Sequence, residues 1–123
     1  MIDYEKVIEE CGTPTYLYDI NTLVNRVNHL KSKLNGCNLV YAVKANTFIA
    51  KEIEEYVERF EICSPGEFDI CHKLGINHNK MVISGVYKDR ETISNMICNF
   101  DDIGKYTIES INQWKLLDEL TKS

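Results

Sequence analysis

The strongest constraint on the fold is a repeated alternation between short apolar segments and segments with apolar residues at helical spacing. We predict strands over residues 39–43, 59–63, 80–85 and 105–110. Before, between and after them, helical spacing predicts helices over residues 22–34, 48–57, 66–74 and 89–99, and a last helix carrying Ile111, Trp114, Leu117 and Leu120. A strand followed by a helix, four times over, implies a parallel sheet.

Two parallel α/β architectures compete for this pattern. A doubly wound open sheet usually has a glycine-rich phosphate loop after its first strand, but the residues after Val43 are "KANTFIA", without glycine. A (β/α)8 TIM-type barrel instead carries its chemistry at the carboxyl ends of its strands and needs about 250 residues. We therefore predict the N-terminal half of such a barrel, as part of a longer protein, with a complete four-stranded domain as the alternative. Exposed parallel edges favour pairing with a second copy, as a homodimer.

Composition excludes several classes of function. The 123 residues carry 14 Lys and Arg against 19 Asp and Glu, a net charge of -5, so we expect no nucleic-acid partner. The sequence has neither an apolar run long enough to cross a membrane nor a signal peptide's apolar core, and we expect a cytoplasmic protein. The five scattered cysteines are interpreted as reduced, without a metal site.

The candidate catalytic residue is Lys44, in the stretch "LVYAVKANT", where it follows five apolar residues. One interpretation is a structural lysine that either snorkels to solvent or has an ion-pair partner. The other is a nucleophile, because burial disfavours the ammonium form and a neutral amine attacks carbonyl groups to form a Schiff base. Strand alternation would place Ala42 beneath Lys44 on the same face, leaving room for a flat ring.

Four motifs carry a family resemblance. "TPTYLYDI", "YAVKAN", "SPGE" and "SGVYKDRETI" occur in this order, and the chain resembles the fold-type III pyridoxal-phosphate-dependent decarboxylases, which include diaminopimelate and ornithine decarboxylases. The resemblance implies pyridoxal 5'-phosphate as cofactor, with Lys44 bonded to its aldehyde, and decarboxylation of a small-molecule amino acid. It also implies two parts: residues 1–20 as an extended lead-in that would join a C-terminal β-domain, and residues 21–123 as a partial cofactor-binding barrel.

The resemblance also assigns residues around Lys44. The family pattern F-D-x-x-S-x-x-E corresponds to "FEICSPGE", so Glu61 replaces an aspartate while Ser64 and Glu67 stay in register. With Lys44 and Ala42, these three form the predicted cofactor-binding set. Where diaminopimelate decarboxylases commonly carry an asparagine pair before a lysine, this chain has "SGVYK", and we interpret Lys88 as a solvated loop lysine.

In the family, the other site residues, including the phosphate-binding loop, come from segments of the longer protein beyond residue 123. We therefore expect the 123 residues alone to be inactive. Candidate substrates of the longer protein are diaminopimelate and other basic amino acids. The alternatives are an amino-acid racemase of the same fold and a non-catalytic pyridoxal-phosphate-binding protein. His29, His72 and His78 lie away from the strand ends and are interpreted as surface residues.

Overall fold

The computed structural model describes residues 2–122, within which nine helices and strands follow one another. Two helices come first, and strands and helices then alternate, except that β1 is followed by turns. The elements are α1 (Tyr4–Cys11), α2 (Ile20–Lys33), β1 (Val40–Ala42), β2 (Arg59–Ile62), α3 (Pro65–Lys73), β3 (Met81–Ile83), α4 (Arg90–Asn99), β4 (Lys105–Tyr106) and α5 (Ile111–Leu120).

The five helices begin in the same way. Each is preceded by an aspartate or a serine in extended conformation, whose side-chain oxygen accepts a hydrogen bond from the backbone N–H three residues later. This satisfies one of the N–H groups that a helix leaves unpaired in its first turn. The capping residues are Asp3, Asp19, Ser64, Asp89 and Ser110.

The four strands form one parallel sheet in the order β1-β2-β3-β4. Each strand therefore lies beside its successor in the chain. A doubly wound sheet would reverse its strand order at the centre, whereas a barrel adds each strand on the same side of the last. The predicted TIM-type barrel architecture is confirmed.

The two faces of the sheet have different environments. The outer face, under the helices, includes Phe60, Ile62, Met81 and Ile83, each at most 5% exposed. The strand register puts the alternate residues on the inner face, which consists of Val40, Ala42, Arg59, Glu61, Val82 and Lys105. Val40 there is 46% exposed. Within residues 2–122, then, helices cover one face and leave the inner face open.

Residues 48–57 do not form the predicted α-helix. They form successive turns that end in a short 3-10 helix, Glu54–Tyr56. Their backbone bonds mix three-residue and four-residue spacing: Ile53 N–H donates to Ile49, and Tyr56 N–H donates to Ile53. Both spacings return the chain to the same side, so Ile53 and Val57 are buried as a helix would bury them. The apolar periodicity predicts which residues are buried, but it does not distinguish a helix from a series of turns.

The predicted extended lead-in over residues 1–20 is wrong for its first half. Residues Tyr4–Cys11 form α1, capped by Asp3, and the stretch without regular secondary structure between α1 and α2 is residues 12–19. The helix forms because "YEKVIEEC" has good helix formers and apolar residues at helical spacing. No helix within residues 2–122 has the length and apolar character that crossing a bilayer requires.

Candidate functional site

Lys44 lies just beyond the carboxyl end of β1. The strand ends at Ala42, and residues Val43–Ala45 form a short 3-10 turn. Val43 is fully buried and anchors this turn, and the N–H of Asn46 closes it by donating to the carbonyl of Val43 at 3.1 Å. Ala42 and Lys44 consequently do not share a strand face, because the strand has already ended.

The environment of Lys44 differs from the predicted one. The strand before it is not buried, since the inner face is open, and Lys44 itself is exposed. Within the described part of the chain its ammonium group makes no hydrogen bond and no ion pair. The interpretation of Lys44 as an ion-paired structural lysine therefore has no support here, whereas a structural lysine that reaches solvent agrees with its exposure. Activation of its amine by burial has no support either.

An open pocket of about 440 Å³ adjoins Lys44. Its walls are the turn after β1 and three aromatic residues, Tyr16, Tyr18 and Phe48. The rings of Tyr18 and Phe48 are stacked, with centroids 6.3 Å apart. An unpaired amine beside aromatic faces suits a flat, electrophilic ligand.

Glu61 extends the same edge of the sheet. It is the register partner of Ala42 on β1, so these two predicted site residues lie side by side on the inner face. The carboxylate of Glu61 accepts a hydrogen bond of 2.9 Å from the hydroxyl of Ser84, which follows β3. Glu61 thus occupies the position predicted for it, at the carboxyl end of β2.

Ser64 and Glu67 form the cap of α3. Glu67 N–H donates to Ser64 Oγ at 3.3 Å, and Ser64 Oγ donates to Glu67 Oε1 at 3.1 Å. The other oxygen, Oε2, accepts the N–H of Cys63 at 2.8 Å. This is a variant of the capping box, in which the glutamate accepts the N–H of the residue before the cap, and both carboxylate oxygens of Glu67 are occupied in the described chain. A direct role for either residue in binding the cofactor stays a prediction.

Several charged side chains at this edge of the sheet act on the thiol of Cys63. Burial raises the pKa of Cys63, and the nearby carboxylates of Glu61, Glu67 and Glu109 raise it further, whereas Lys44 lowers it. All four charged groups therefore act on one point just beyond β2. The structure brings the predicted residues to one edge, as parallel strands require.

Lys88 was wrongly interpreted as a solvated lysine. Its side chain is fully buried, and Nζ donates to the carbonyl of Gly85 at 2.6 Å, to Thr107 at 3.3 Å and to Gln113 Oε1 at 3.5 Å. Burial lowers the pKa of Lys88, opposed by the negative charge of Glu109. Lys88 holds the loop after β3 against the loop after β4.

Glu109 is a functional candidate that sequence reasoning missed. It accepts hydrogen bonds from Gly85 N–H at 2.7 Å and from Thr107 Oγ1 at 3.0 Å, and its Oε1 lies 3.9 Å from Lys88 Nζ. These donors, Gly85 N–H first, lower the pKa of Glu109. The signal was present, because Glu109 lies near the carboxyl end of the fourth predicted strand, as Lys44 and Glu61 lie near the carboxyl ends of the first two.

A second polar cluster lies at the opposite edge of the sheet. His78, in the turn before β3, has Nδ1 2.9 Å from Asp102 Oδ1 and Nε2 2.9 Å from Nδ1 of His72. The side chain of His78 is only 17% exposed and packs on Phe68 and Phe100. The surface interpretation is therefore wrong for His78, although His72 is exposed.

Comparison with known proteins gives consistent matches. The family model described as "Pyridoxal-dependent decarboxylase, pyridoxal binding domain" matches residues 20–123. Diaminopimelate decarboxylase of Campylobacter jejuni is 29% identical over 125 residues, covering 98% of this chain and 31% of that protein. The 2-[(L-alanin-3-ylcarbamoyl)methyl]-2-hydroxybutanedioate decarboxylase of Staphylococcus aureus is 29% identical over 109 residues, covering 85% and 26%.

A solved structure agrees with these sequence matches. The diaminopimelate decarboxylase of M. jannaschii, in complex with L-lysine, superposes with a TM-score of 0.72 and 26% identity, covering 98% of this chain and 30% of that one. The chain thus spans less than a third of the length of the relatives it matches. Because the family model covers nearly the whole chain, the chain belongs to the pyridoxal-dependent decarboxylase family, as part of its pyridoxal-binding domain, whose cofactor is pyridoxal 5'-phosphate.

Proposed function

We propose that Lys44 is the residue that bonds to the cofactor aldehyde, and that the longer protein decarboxylates diaminopimelate or another basic amino acid. The observation that carries the proposal is the unpaired amine of Lys44 at the carboxyl edge of the sheet, beside an aromatic-walled pocket. The similarity to diaminopimelate decarboxylases supports the choice of substrate class.

The residues around Lys44 fit the ring and the aldehyde of the cofactor. An amine without an ion-pair partner need not give up a carboxylate before it attacks a carbonyl group. Ala42, on the inner face, has a side chain too small to obstruct a ring. Glu61 lies beside it with one oxygen bonded to Ser84, so that its other oxygen is available to a ligand.

The same edge does not fit the phosphate group. Glu61, Glu67 and Glu109 all act on the strand ends near Cys63, and carboxylates repel a phosphate dianion. Lys88 is buried and committed to protein oxygens. We therefore infer that residues of the longer protein outside this chain bind the phosphate.

In this proposal, the chain supplies position and proton transfer. Lys44 would hold the cofactor covalently and, once substrate amine has displaced it, would carry a proton to or from the reacting carbon. The pyridine ring, when bound, supplies the sink for the electron pair left by the departing carboxylate. Glu61 would orient the ligand from the neighbouring strand, and the capping box of Ser64 and Glu67 would fix the end of β2.

Three features of the longer protein belong to the same proposal. We infer that the 123 residues alone would pair with a second copy through the unpaired outer edges of β1 and β4, and that the longer protein works as a homodimer, as the family resemblance implies. We also place it in the cytoplasm, where amino-acid substrates are available. The S. aureus relative carries a different substrate in its name, so the particular amino acid stays open to assay.

The direct test is covalent labelling of the 123-residue chain. Pyridoxal phosphate is added, the product is reduced with borohydride, and labelled peptides are mapped by mass spectrometry. We expect a long-wavelength absorbance band that borohydride abolishes and a label concentrated on the Lys44 peptide. Equal labelling of all exposed lysines would refute the assignment.

Two variants control this experiment. Lys44→Ala should abolish the band, and Lys73→Ala, which removes an exposed lysine from the last turn of α3, should leave it unchanged. In the longer protein, release of carbon dioxide from diaminopimelate, lysine, ornithine and arginine then tests the reaction. Release from none of them would refute the proposed substrate class.

A further inference from the structure

The turn that carries Lys44 is tied to the segment before α2 through one side chain. Asn46 is extended and leaves the turn, and its amide group makes two contacts. Its Oδ1 accepts the N–H of Phe48 at 2.9 Å, and its Nδ2 donates to the hydroxyl of Tyr18 at 3.2 Å. Asn46 therefore connects the far side of the lysine turn to a residue 28 positions earlier.

A second hydrogen bond fixes the backbone of Asn46 from below. The hydroxyl of Tyr41, on β1, donates to the carbonyl of Asn46 at 2.7 Å. Burial raises the pKa of Tyr41, and the neighbouring Tyr18 raises it further. Tyr41 and Tyr18 thus both form hydrogen bonds with Asn46, Tyr41 from the sheet and Tyr18 from the segment before α2.

Aromatic packing closes the other side of this arrangement. The ring of Tyr18 stacks on Phe48 with an interplanar angle of 30°. The two residues that bracket Asn46, Lys44 before it and Phe48 after it, both line the pocket. The Tyr18 side chain therefore contacts the segment just after the lysine turn at two points, through a hydrogen bond to Asn46 and a ring stack on Phe48.

We propose that Tyr18 and Asn46 are positioning residues for Lys44, holding its turn so that the amine faces the pocket. This inference rests on the proposed function of Lys44 and deepens it. It gives residues 12–19 a direct part in the site: they are the wall that keeps the nucleophile in place. Neither residue needs to touch the reacting atoms.

The proposal predicts how each variant behaves. Tyr18→Phe keeps the ring stack and removes only the hydroxyl, and a neutral hydrogen bond of this kind corresponds to roughly a threefold to tenfold effect. We expect labelling of Lys44 to slow by about that factor. Asn46→Leu, which also frees Phe48 N–H, should slow it more. Asn46→Asp should recover most of the rate, because a carboxylate can accept from both Phe48 N–H and the Tyr18 hydroxyl.

The control variant is Tyr4→Phe. Tyr4 lies on α1 outside the Lys44 pocket and is 64% exposed, and within the described residues its hydroxyl has no hydrogen-bond partner. We expect its labelling rate to equal that of the wild type. Labelling of Lys73 in the same digests provides an internal reference, because a general loss of structure would change both lysines.

The first readout is the rate of borohydride-trapped labelling of Lys44 relative to Lys73, measured from pH 6 to 10. The second needs no cofactor: amide hydrogen exchange of Phe48, which should accelerate in Tyr18→Phe and in Asn46→Leu but not in Tyr4→Phe. Faster exchange together with slower Lys44 labelling supports the inference.

The outcomes separate this inference from the proposed function. If wild-type Lys44 is not labelled selectively, the proposed function fails for this chain, whatever the exchange data show. If Lys44 is labelled selectively and Tyr18→Phe and Asn46→Leu label at the wild-type rate, only the positioning role is overturned. Unchanged exchange of Phe48 in both variants would overturn it as well.

Discussion

Replacing the buried Lys88 with methionine should destabilise the fold more than replacing any exposed lysine. Methionine fills nearly the same volume and is free of charge, but it cannot donate a hydrogen bond. The carbonyl of Gly85, the hydroxyl of Thr107 and the side-chain carbonyl of Gln113 would all lose a donor. The loops after β3 and β4 would lose their shared anchor.

The magnitude follows from the geometry of these contacts. The bond to Gly85 O, at 2.6 Å, is the strong one, and a hydrogen bond from a charged donor contributes about 1.5–3 kcal/mol. The contacts at 3.3 and 3.5 Å are longer and weaker. The cost of burying the ammonium group opposes these gains, so we expect Lys88→Met to lower the free energy of unfolding by about 2–3 kcal/mol.

Urea unfolding followed by tryptophan fluorescence measures this loss. Trp114 lies next to Gln113 on α5 and reports on that region. The midpoint should fall by about 1–2 M urea. Lys73→Met is the matched control and should stay within about 0.5 kcal/mol of wild type. A Lys88→Met chain as stable as wild type would refute the reasoning, because the desolvation cost would then cancel all three contacts.

The stability difference between wild type and Lys88→Met should depend on pH, with a definite sign. Burial lowers the pKa of Lys88 from its ordinary value of 10.5. Between the lowered value and 10.5 the unfolded lysine still binds a proton that the folded one has lost, so stability rises with pH. The difference between wild type and Lys88→Met should therefore grow as pH rises through this window and level off above 10.5. A stability difference that does not change with pH would contradict the lowered pKa of Lys88.

Two further predictions concern single positions. Glu109→Gln should be less stable than wild type above pH 4.5, and the difference should vanish as pH falls through the lowered pKa of Glu109, because its stabilisation requires the carboxylate; acid unfolding monitored by circular dichroism checks this, and a pH-independent difference would contradict it. Gly104→Ala should destabilise strongly, since a Cβ there would lie 2.1 Å from the carbonyl oxygen of Asn79, whereas Gly66→Ala meets nothing within 4 Å; equal thermal midpoints of the two variants would contradict this.

The order and direction of the strands were predictable from the sequence because each strand is a short apolar run between helical segments. What the run does not determine is how far the strand continues. The strand predicted over residues 39–43 ends at Ala42, because Val43 turns into the core instead of continuing the pleat. Residues 48–57 show the same limit, since turns and helices bury the same positions.

The site was predictable where it depends on strand ends and not where it depends on burial. Lys44 and Glu61 lie where the strand-end argument puts them. Their exposure depends on whether further chain covers the inner face, which no local pattern reports. Lys88 is the converse case, because its loop folds back over Nζ through contacts with Thr107 and Gln113, residues 19 and 25 positions away.

The charge at the carboxyl edge leads to one more prediction. Glu61, Glu67 and Glu109 act there together, and Lys88 is enclosed, which leaves Lys44 as the cation facing the pocket. The carboxylates at this edge repel a phosphate dianion, whereas a neutral aldehyde has no net charge for them to repel. Pyridoxal, which lacks the phosphate, should therefore label Lys44 of this chain at least as fast as pyridoxal phosphate, under equal aldehyde concentration and borohydride trapping.

Two further measurements test why the labelling rates of pyridoxal and pyridoxal phosphate should differ: one varies the ionic strength, and the other uses the longer protein. Raising the ionic strength should speed labelling by pyridoxal phosphate toward the pyridoxal rate, because screening weakens the repulsion. In the longer protein the preference should reverse, since residues outside this chain would bind the phosphate. If pyridoxal phosphate already labels Lys44 of the 123-residue chain much faster than pyridoxal, then this edge binds phosphate itself, and the division between a lysine on this chain and a phosphate site elsewhere is wrong.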